Sequence, residues 1–201
     1  MSENTEILSD VNVDLWLKFK SGDSDALGKL AQIHYRALYN YASKFSGDPD
    51  FIRDCLQELY LELWERRDFL SETAFVKSYL FKALRHKLIK ENVRLKRFQE
   101  QKNVLFDGND SDLSIESYII ENESSKYQAK RLTHIISLLS KRQQEIIYLR
   151  FYQNLENEDI ANIMNLGRQS VSNLLYRTLK EMKEIWTPIE LLWVLVGFYI
   201  W

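Results

Sequence analysis

The chain has 201 residues, of which 45% are hydrophobic, 13% aromatic and 28% charged, the usual composition of a folded domain. This composition excludes a collagen-like repeat and a chain that is disordered throughout, and the single cysteine excludes an intramolecular disulfide. The net charge of −2, taken as a whole, argues against nucleic-acid binding. Only six glycines and two prolines are available as turn residues, so we predict an all-α fold.

The first half of the chain has the apolar spacing of amphipathic helices. From Asp14 to about Arg97, apolar residues recur at intervals of three and four. The sequences SGDSD at 21–25 and GDPD at 47–50 predict breaks, each providing an N-cap for the next helix. Between 65 and 74 the polar stretch ERRDFLSETA predicts a loop, and a further amphipathic helix begins at about Phe75.

Positive charge is concentrated in the helix that begins at Phe75. Between residues 75 and 102 there are nine lysines and arginines, opposed only by Glu91 and Glu100. Such a block is the footprint expected of a surface that meets phosphates, because each neutralised phosphate releases a counterion. A solvated helix face would carry the same charge and remains the alternative.

The second half of the chain divides into a linker, a helical unit and an apolar tail. Residues 103–125 are acidic, rich in Ser, Asn and Asp, and contain no Lys or Arg, which predicts a linker. We divide the chain into a first helical domain at 10–98, a linker at 99–126, a second helical domain at 127–186 and an apolar tail at 187–201. The last of these segments, the tail, ends in eleven uncharged residues, too few to cross a bilayer, which takes about 20.

Residues 157–179, NEDIANIMNLGRQSVSNLLYRTL, have the pattern of a helix-turn-helix. Ala161 provides the small side chain needed where two helices approach closely, and residues 165–167 provide the turn. Five apolar residues have offsets that bury one face of both helices: Ile160, Met164, Leu166, Val171 and Leu174. The second helix then presents side chains able to bind base edges and phosphates. These are Arg168, Gln169, Ser170, Ser172, Asn173 and Arg177. An ordinary helical hairpin is the alternative.

Two blocks of the sequence resemble the ECF (group 4, extracytoplasmic-function) sigma factors of bacterial RNA polymerase, within the sigma-70 superfamily. The segment from DLWLKFK at 14–20 to VRLKR at 93–97, with its motif DCLQELYLELW at 54–64, resembles sigma region 2. The segment LLSKRQQEIIYLRFYQN…TLKEMK at 138–183 resembles sigma region 4. The resemblance implies two small helical domains joined by an acidic linker.

The resemblance also implies roles for individual residues in region 2. The helix carrying the 54–64 motif would dock on the polymerase β′ subunit, through Asp54, Gln57, Glu58, Leu61 and Trp64. The loop at 66–74 and the following helix would read and open the −10 element by capturing a flipped base and holding phosphates. Residues for this task are Phe69, Ser71, Lys77, Tyr79, Lys82, Arg85, Lys87 and Lys90. Core packing is the alternative for Trp64, Phe75 and Tyr79.

The second domain departs from the family pattern. The family usually carries basic residues at the positions of Ser172 and Leu174, which predicts weak reading of the −35 element and recruitment assisted by another protein. The apolar tail could pack on the helix-turn-helix domain, dock an anti-sigma factor or recruiting protein, or attach to a membrane surface.

The implied function is a sigma factor that binds the β′ and β subunits of core polymerase, directs them to promoter DNA and helps to open it. The alternatives are a stand-alone helix-turn-helix regulator and an adaptor that binds proteins through its tail. We predict no enzymatic activity, no metal or other cofactor and no small-molecule substrate, because the three histidines and Cys55 lack ligand spacing. The acidic N-terminus is unlike a signal peptide, so we expect a cytoplasmic protein, either free or held at the membrane by an anti-sigma factor.

Overall fold

The computed structural model describes residues 2–101 and 123–199, and within these ranges every regular element is helical. Contacts divide the chain into two compact units, one containing α1 to α4 and the other α5, α6, most of α7, and α8. The helices of the first unit are α1 (Ser2–Lys20), α2 (Ser24–Ala42), α3 (Pro49–Glu65) and α4 (Val76–Gln101). Those of the second are α5 (Glu123–Leu138), α6 (Lys141–Ile147), α7 (Asn157–Met164) and α8 (Arg168–Tyr199). The predicted all-α fold is confirmed.

Both predicted helix breaks in the first unit are confirmed. The Asp23 carboxylate accepts hydrogen bonds from the backbone N–H groups of Asp25 (2.9 Å) and Ala26 (3.1 Å), which caps α2. The Asp48 carboxylate caps α3 through the N–H groups of Asp50 (2.9 Å) and Phe51 (3.3 Å), and Pro49 lies in the first turn. Each cap satisfies backbone donors that would otherwise be unpaired and stabilises its helix by about 1 kcal/mol.

The core of the first unit is aromatic at its centre. Trp16 and Phe19 of α1 are fully buried and meet edge to face with ring centroids 5.4 Å apart. Tyr41 of α2 packs in the same way on Phe81 of α4, at 5.1 Å. Cys55 is also buried, and burial raises the pKa of its thiol to about 11, so the thiol stays protonated near neutral pH. The helices α3 and α4, which contain the predicted functional residues of the first unit, thus share one core.

His34 makes the stability of the first unit sensitive to acid. Its Nε2 donates to Asn12 Oδ1 at 3.1 Å inside the core. Burial, assisted by the positive charge of Lys77, lowers the pKa of His34 from 6.5 to about 4. Below pH 6.5 the unfolded chain therefore binds a proton that the folded chain does not, so stability falls with pH until folded His34 titrates near pH 4.

We expect this single group to cost the fold about 2 kcal/mol between pH 7 and about pH 4.5. The measurement is urea unfolding of the wild type and of His34→Gln at both pH values. The variant should lose about 2 kcal/mol less than the wild type over the same interval. An equal loss in both proteins would contradict the role given to His34.

Helices α7 and α8 and the turn between them form the predicted helix-turn-helix, with two differences in its core. Ile160, Met164 and Val171 are buried as predicted, and so is the small Ala161. Leu166 and Leu174, however, are only half-buried, and the neighbouring Leu175 is buried instead. The prediction for Leu174 was wrong because the buried side of α8 runs through Val171, Leu175 and Thr178, which leaves Leu174 at its edge. The turn depends on Asn165, whose φ of +53° places it in the left-handed region that asparagine tolerates.

The predicted linker and tail lie partly outside the described residues. Helix α4 continues to Gln101 and α5 already begins at Glu123, so both ends of the 99–126 segment are helical. At the other end, α8 continues without interruption from the recognition segment to Tyr199, through most of the apolar tail. The tail side chains lie outside the described set. In the described part of the chain, no helix is apolar over a length that could cross a membrane.

Candidate functional site

One face of α3 is polar, exposed and interrupted by a single apolar side chain. Asp54, Gln57, Glu58 and Leu61 follow the spacing i, i+3, i+4, i+7 and therefore lie on the same side of the helix. All four are exposed, and Leu61 keeps 61% of its surface accessible. We call these four residues the α3 docking face. An exposed leucine among acidic and amide groups is suited to a helical partner that carries basic residues.

Trp64, also predicted to contact the polymerase, lies largely within the protein. Its ring is 6.4 Å from that of Phe19, and the Arg67 guanidinium lies over it at 4.6 Å from the ring centroid. The Arg67 side chain also donates to the Trp64 carbonyl at 2.8 Å. Trp64 is thus half-buried where α3 ends. Its main contacts are those of the core-packing alternative.

Lys87 of α4 is buried, which does not fit the phosphate-binding role predicted for it. Only 7% of its side chain is exposed, and its Nζ donates to Glu58 (2.9 Å) and Glu62 (2.7 Å) of α3. Burial by itself would lower the pKa of Lys87, but the hydrogen bonds to the two carboxylates outweigh it and raise the pKa. The hydrogen bond from Lys87 in turn lowers the pKa of Glu58. Lys87 therefore stays charged and joins α3 to α4.

The remaining predicted phosphate-binding residues of α4 differ in accessibility. Lys82 and Lys90 are exposed, and Arg85 is partly exposed. Lys77 is half-buried, and its burial lowers the pKa of its ammonium group. Arg94 pairs with Glu91 at 2.7 Å. The basic block of the sequence thus divides into exposed cations and cations that stabilise the fold.

The loop between α3 and α4 presents two aromatic rings to solvent. A short 3-10 helix, Arg67–Phe69, leads into extended chain, and Phe69 is 85% exposed. Phe75, at the end of the loop, is also exposed, so the core alternative is wrong for this residue. Two features anchor the loop to the core. Leu70 is buried, and Trp16 Nε1 donates a hydrogen bond of 3.2 Å to the Ser71 carbonyl. An exposed aromatic ring is the kind of group on which an unstacked base stacks, and this loop has two.

Tyr79, predicted for the same loop site, packs inward. Its ring meets that of Trp16 edge to face, with centroids 5.1 Å apart, and burial raises the pKa of its hydroxyl. Ser71 is exposed beside the rings of the loop. The contacts of Tyr79 are therefore those expected of a core residue, although the residue is only half-buried.

The first three turns of α8 place most of the predicted DNA-reading residues on its surface. Arg168, Gln169, Ser170, Asn173 and Arg177 are exposed. Gln169 Nε2 donates to Asn173 Oδ1 at 3.3 Å, so these two amides are oriented together one turn apart.

Ser172 is the exception among the residues predicted to read DNA. Its hydroxyl accepts from Asn157 Nδ2 at 3.2 Å and donates to the Arg168 carbonyl at 3.3 Å, which ties α8 to α7. Ser172 is half-buried, so its hydroxyl serves the contact between the two helices.

Sequence reasoning missed one side chain of this surface. Tyr176 is 70% exposed and lies one turn beyond Ser172 and two turns beyond Gln169, on the same side of α8. Its spacing of i+4 from Ser172 and i+7 from Gln169 would have identified it. Tyr176 therefore adds a large exposed ring to the polar groups on this side of α8.

Two regional models of one family match the two helical units. Residues 30–98 match Sigma-70 region 2, and residues 129–182 match Sigma-70, region 4. The ECF RNA polymerase sigma factor BldN of Streptomyces coelicolor is 23% identical over 176 residues, which cover 86% of this chain and 65% of BldN. The chain belongs to the ECF group of the sigma-70 family. The resemblance identified in the sequence is confirmed.

Two further proteins are similar to this sigma-70 family member over most of its length. The RNA polymerase sigma factor NccH of Alcaligenes xylosoxydans xylosoxydans is 24% identical over 176 residues, covering 85% of this chain and 92% of NccH. The sigma factor RpoE of Bartonella quintana, solved in complex with the anti-sigma factor NepR, superposes with a TM-score of 0.61 at 18% identity. That superposition covers 78% of this chain and 94% of RpoE, and it shows a shared fold. Region 2 thus contains the α3 docking face and the aromatic loop, and region 4 contains the helix-turn-helix.

Proposed function

We propose that this ECF sigma-70 family member binds core RNA polymerase, directs it to promoters and helps to open the DNA at the −10 element. The observation that carries the proposal is the α3 docking face, because four residues of the region 2 motif at 54–64 lie exposed on one side of a helix. A stand-alone helix-turn-helix regulator has no use for such a face. In sigma factors the corresponding helix docks on the coiled coil of the β′ subunit, as the sequence resemblance implies.

We assign the proposed opening of the −10 element to the loop between α3 and α4. Strand separation needs no covalent chemistry, only a site that binds an unpaired base well enough to offset the loss of pairing and stacking. Phe69 and Phe75 offer the stacking surface, and Ser71 offers a hydrogen-bonding group beside them. Lys82, Lys90 and Arg85 provide positive charge for the strand backbone along α4. We therefore propose that DNA opening uses this loop and these three cations. Lys87 contributes only by stabilising the contact between α3 and α4.

Region 4 would read the −35 element with the exposed face of α8. In this proposal Gln169 and Asn173, both exposed, bind base edges, and exposed Arg168 binds a phosphate. An anti-sigma factor is a further proposed partner, since the similar RpoE was solved bound to one. Sigma factors initiate transcription without enzymatic activity of their own, and we propose the same of this chain. A protein-only adaptor would not need the exposed cations of α4.

A positive charge introduced on the α3 docking face tests the proposed contact with the polymerase. Gln57→Arg places a positive charge among acidic groups that would meet a basic partner, and we expect at least tenfold weaker binding of core polymerase. The matched control is Gln32→Arg, because Gln32 is also an exposed glutamine within a helix but lies on α2. Affinity is measured by fluorescence anisotropy with labelled full-length protein. Equal affinities for the two variants would contradict the assignment of this face.

A further inference from the structure

The buried tryptophan of α1 contacts the loop between α3 and α4. Trp16 is fully buried, and its ring meets Phe19 of α1 and Tyr79 of α4 edge to face, with centroids 5.4 and 5.1 Å away. Its Nε1 group donates a hydrogen bond of 3.2 Å to the Ser71 carbonyl. Because close packing against two rings fixes the orientation of the indole, the N–H group also fixes the direction of the carbonyl that it binds.

This hydrogen bond restrains a part of the loop that has no regular structure. Residues 70–75 are neither helix nor strand. A second hydrogen bond of this segment, from the Phe75 N–H group to Thr73 Oγ1 (3.0 Å), is local. The bond from Trp16, by contrast, joins positions 55 residues apart in the sequence. The path of the loop backbone therefore depends on α1, and this dependence could not be read from the sequence.

Ser71 lies between the two exposed aromatic residues of the loop. Phe69 is 85% exposed and Phe75 is 66% exposed. Rings so exposed are held by few contacts of their own, so their spacing depends on the backbone that joins them. Fixing the backbone of one residue before binding avoids an ordering cost that would weaken binding by roughly 5- to 30-fold.

The indole N–H group and the indole ring have separable roles. Phe19 and Tyr79 contact the ring, so a role in core packing needs the ring but not the N–H group. The N–H group serves the loop, because its acceptor is the Ser71 carbonyl. A replacement that keeps the ring and removes the N–H group therefore tests the loop contact alone.

We infer that Trp16 is a positioning residue for DNA opening. Its N–H group holds the Ser71 carbonyl, and through this carbonyl it holds Phe69 and Phe75 in the arrangement that binds an unpaired base. The inference rests on the proposed opening of the −10 element by this loop. It adds α1 to the two helices, α3 and α4, that flank the loop.

Two replacements of Trp16 test the inference. Benzothienylalanine keeps the shape of the indole but has a sulfur atom in place of the N–H group, and Trp16→Phe removes the N–H group with part of the ring. Each full-length variant is assembled with core polymerase on a promoter that the wild-type holoenzyme opens. We expect permanganate reactivity of unpaired thymines to fall roughly 5- to 30-fold with both variants, with unchanged affinity for core polymerase.

Proteolysis of the free full-length chain gives a second readout. Glu72 is exposed in the loop, so a glutamate-specific protease reports how often the loop backbone leaves its position. We expect cleavage after Glu72 to be about fivefold faster, or more, in the benzothienylalanine variant. A role in core packing alone would leave this rate unchanged, because the variant keeps the ring.

The matched control is Phe81→Leu, which shrinks a fully buried ring of α4 that packs on Tyr41 of α2. We expect it to lose stability as Trp16→Phe does, but to open DNA and to be cleaved after Glu72 at wild-type rates. Wild-type opening with the benzothienylalanine variant would overturn the inference, and so would an equal loss of opening with Phe81→Leu. If the wild-type holoenzyme opened no promoter, the proposed function itself would fail.

Discussion

Replacing Glu58 and Glu62 together by alanine is expected to destabilise region 2 by about 3 kcal/mol, whereas Lys87→Met should cost about 1 kcal/mol or less. The asymmetry follows from where each charge lies. The Lys87 side chain is 7% exposed, while those of Glu58 and Glu62 are 54% and 56% exposed. Without the carboxylates a buried ammonium group loses its partners, but without the lysine the carboxylates remain hydrated.

Urea unfolding of the full chain measures both free energies. The triple variant, with Lys87→Met added to the two alanine substitutions, is the control, because it removes the stranded charge. We expect its stability to lie close to that of Lys87→Met. If Lys87→Met proved as destabilising as the double alanine variant, a stranded ammonium group would not account for the loss, and the asymmetry argued from the exposure of the three side chains would be contradicted.

Phe69→Ala is expected to reduce DNA opening by roughly 5- to 150-fold, with core polymerase binding unchanged. Stacking of a base on an aromatic side chain contributes about 1 to 3 kcal/mol, and Phe69 is 85% exposed, so its loss removes stacking surface without opening the core. Permanganate reactivity of unpaired thymines in holoenzyme–promoter complexes measures the opening.

Tyr35→Ala provides the matched control for Phe69→Ala. Tyr35 is also an exposed aromatic residue of region 2, but it lies on α2 and stacks on Tyr39 with ring centroids 6.0 Å apart. We expect normal opening with this variant. Normal opening with Phe69→Ala as well would show that the loop does not capture a base through this ring.

The features predicted correctly from the sequence depend on neighbours a few residues apart. The caps of α2 and α3 need only Asp23 and Asp48 next to the first turn of a helix. The α3 docking face likewise follows from helical spacing, because residues at i, i+3, i+4 and i+7 share a side wherever the helix lies. The function class was predicted from the same local motifs.

The features missed depend on residues far apart in the sequence. In the sequence, Lys87 cannot be distinguished from the other cations of the basic block, because its partners lie 25 and 29 residues away. Leu174 and Leu175 are equally apolar, and only the packing of α8 decides which one is buried. Charge counted along the sequence therefore overstated the number of exposed cations on α4.

Run-off transcription tests the central claim most directly. Purified core polymerase is given a pool of genomic fragments from the source organism, with and without the full-length chain. We predict transcripts with defined start sites that appear only when the chain is present, and that decrease with Gln57→Arg but not with Gln32→Arg. Unchanged transcription on every fragment, together with failure of the chain to bind core polymerase, would contradict the proposed sigma-factor function.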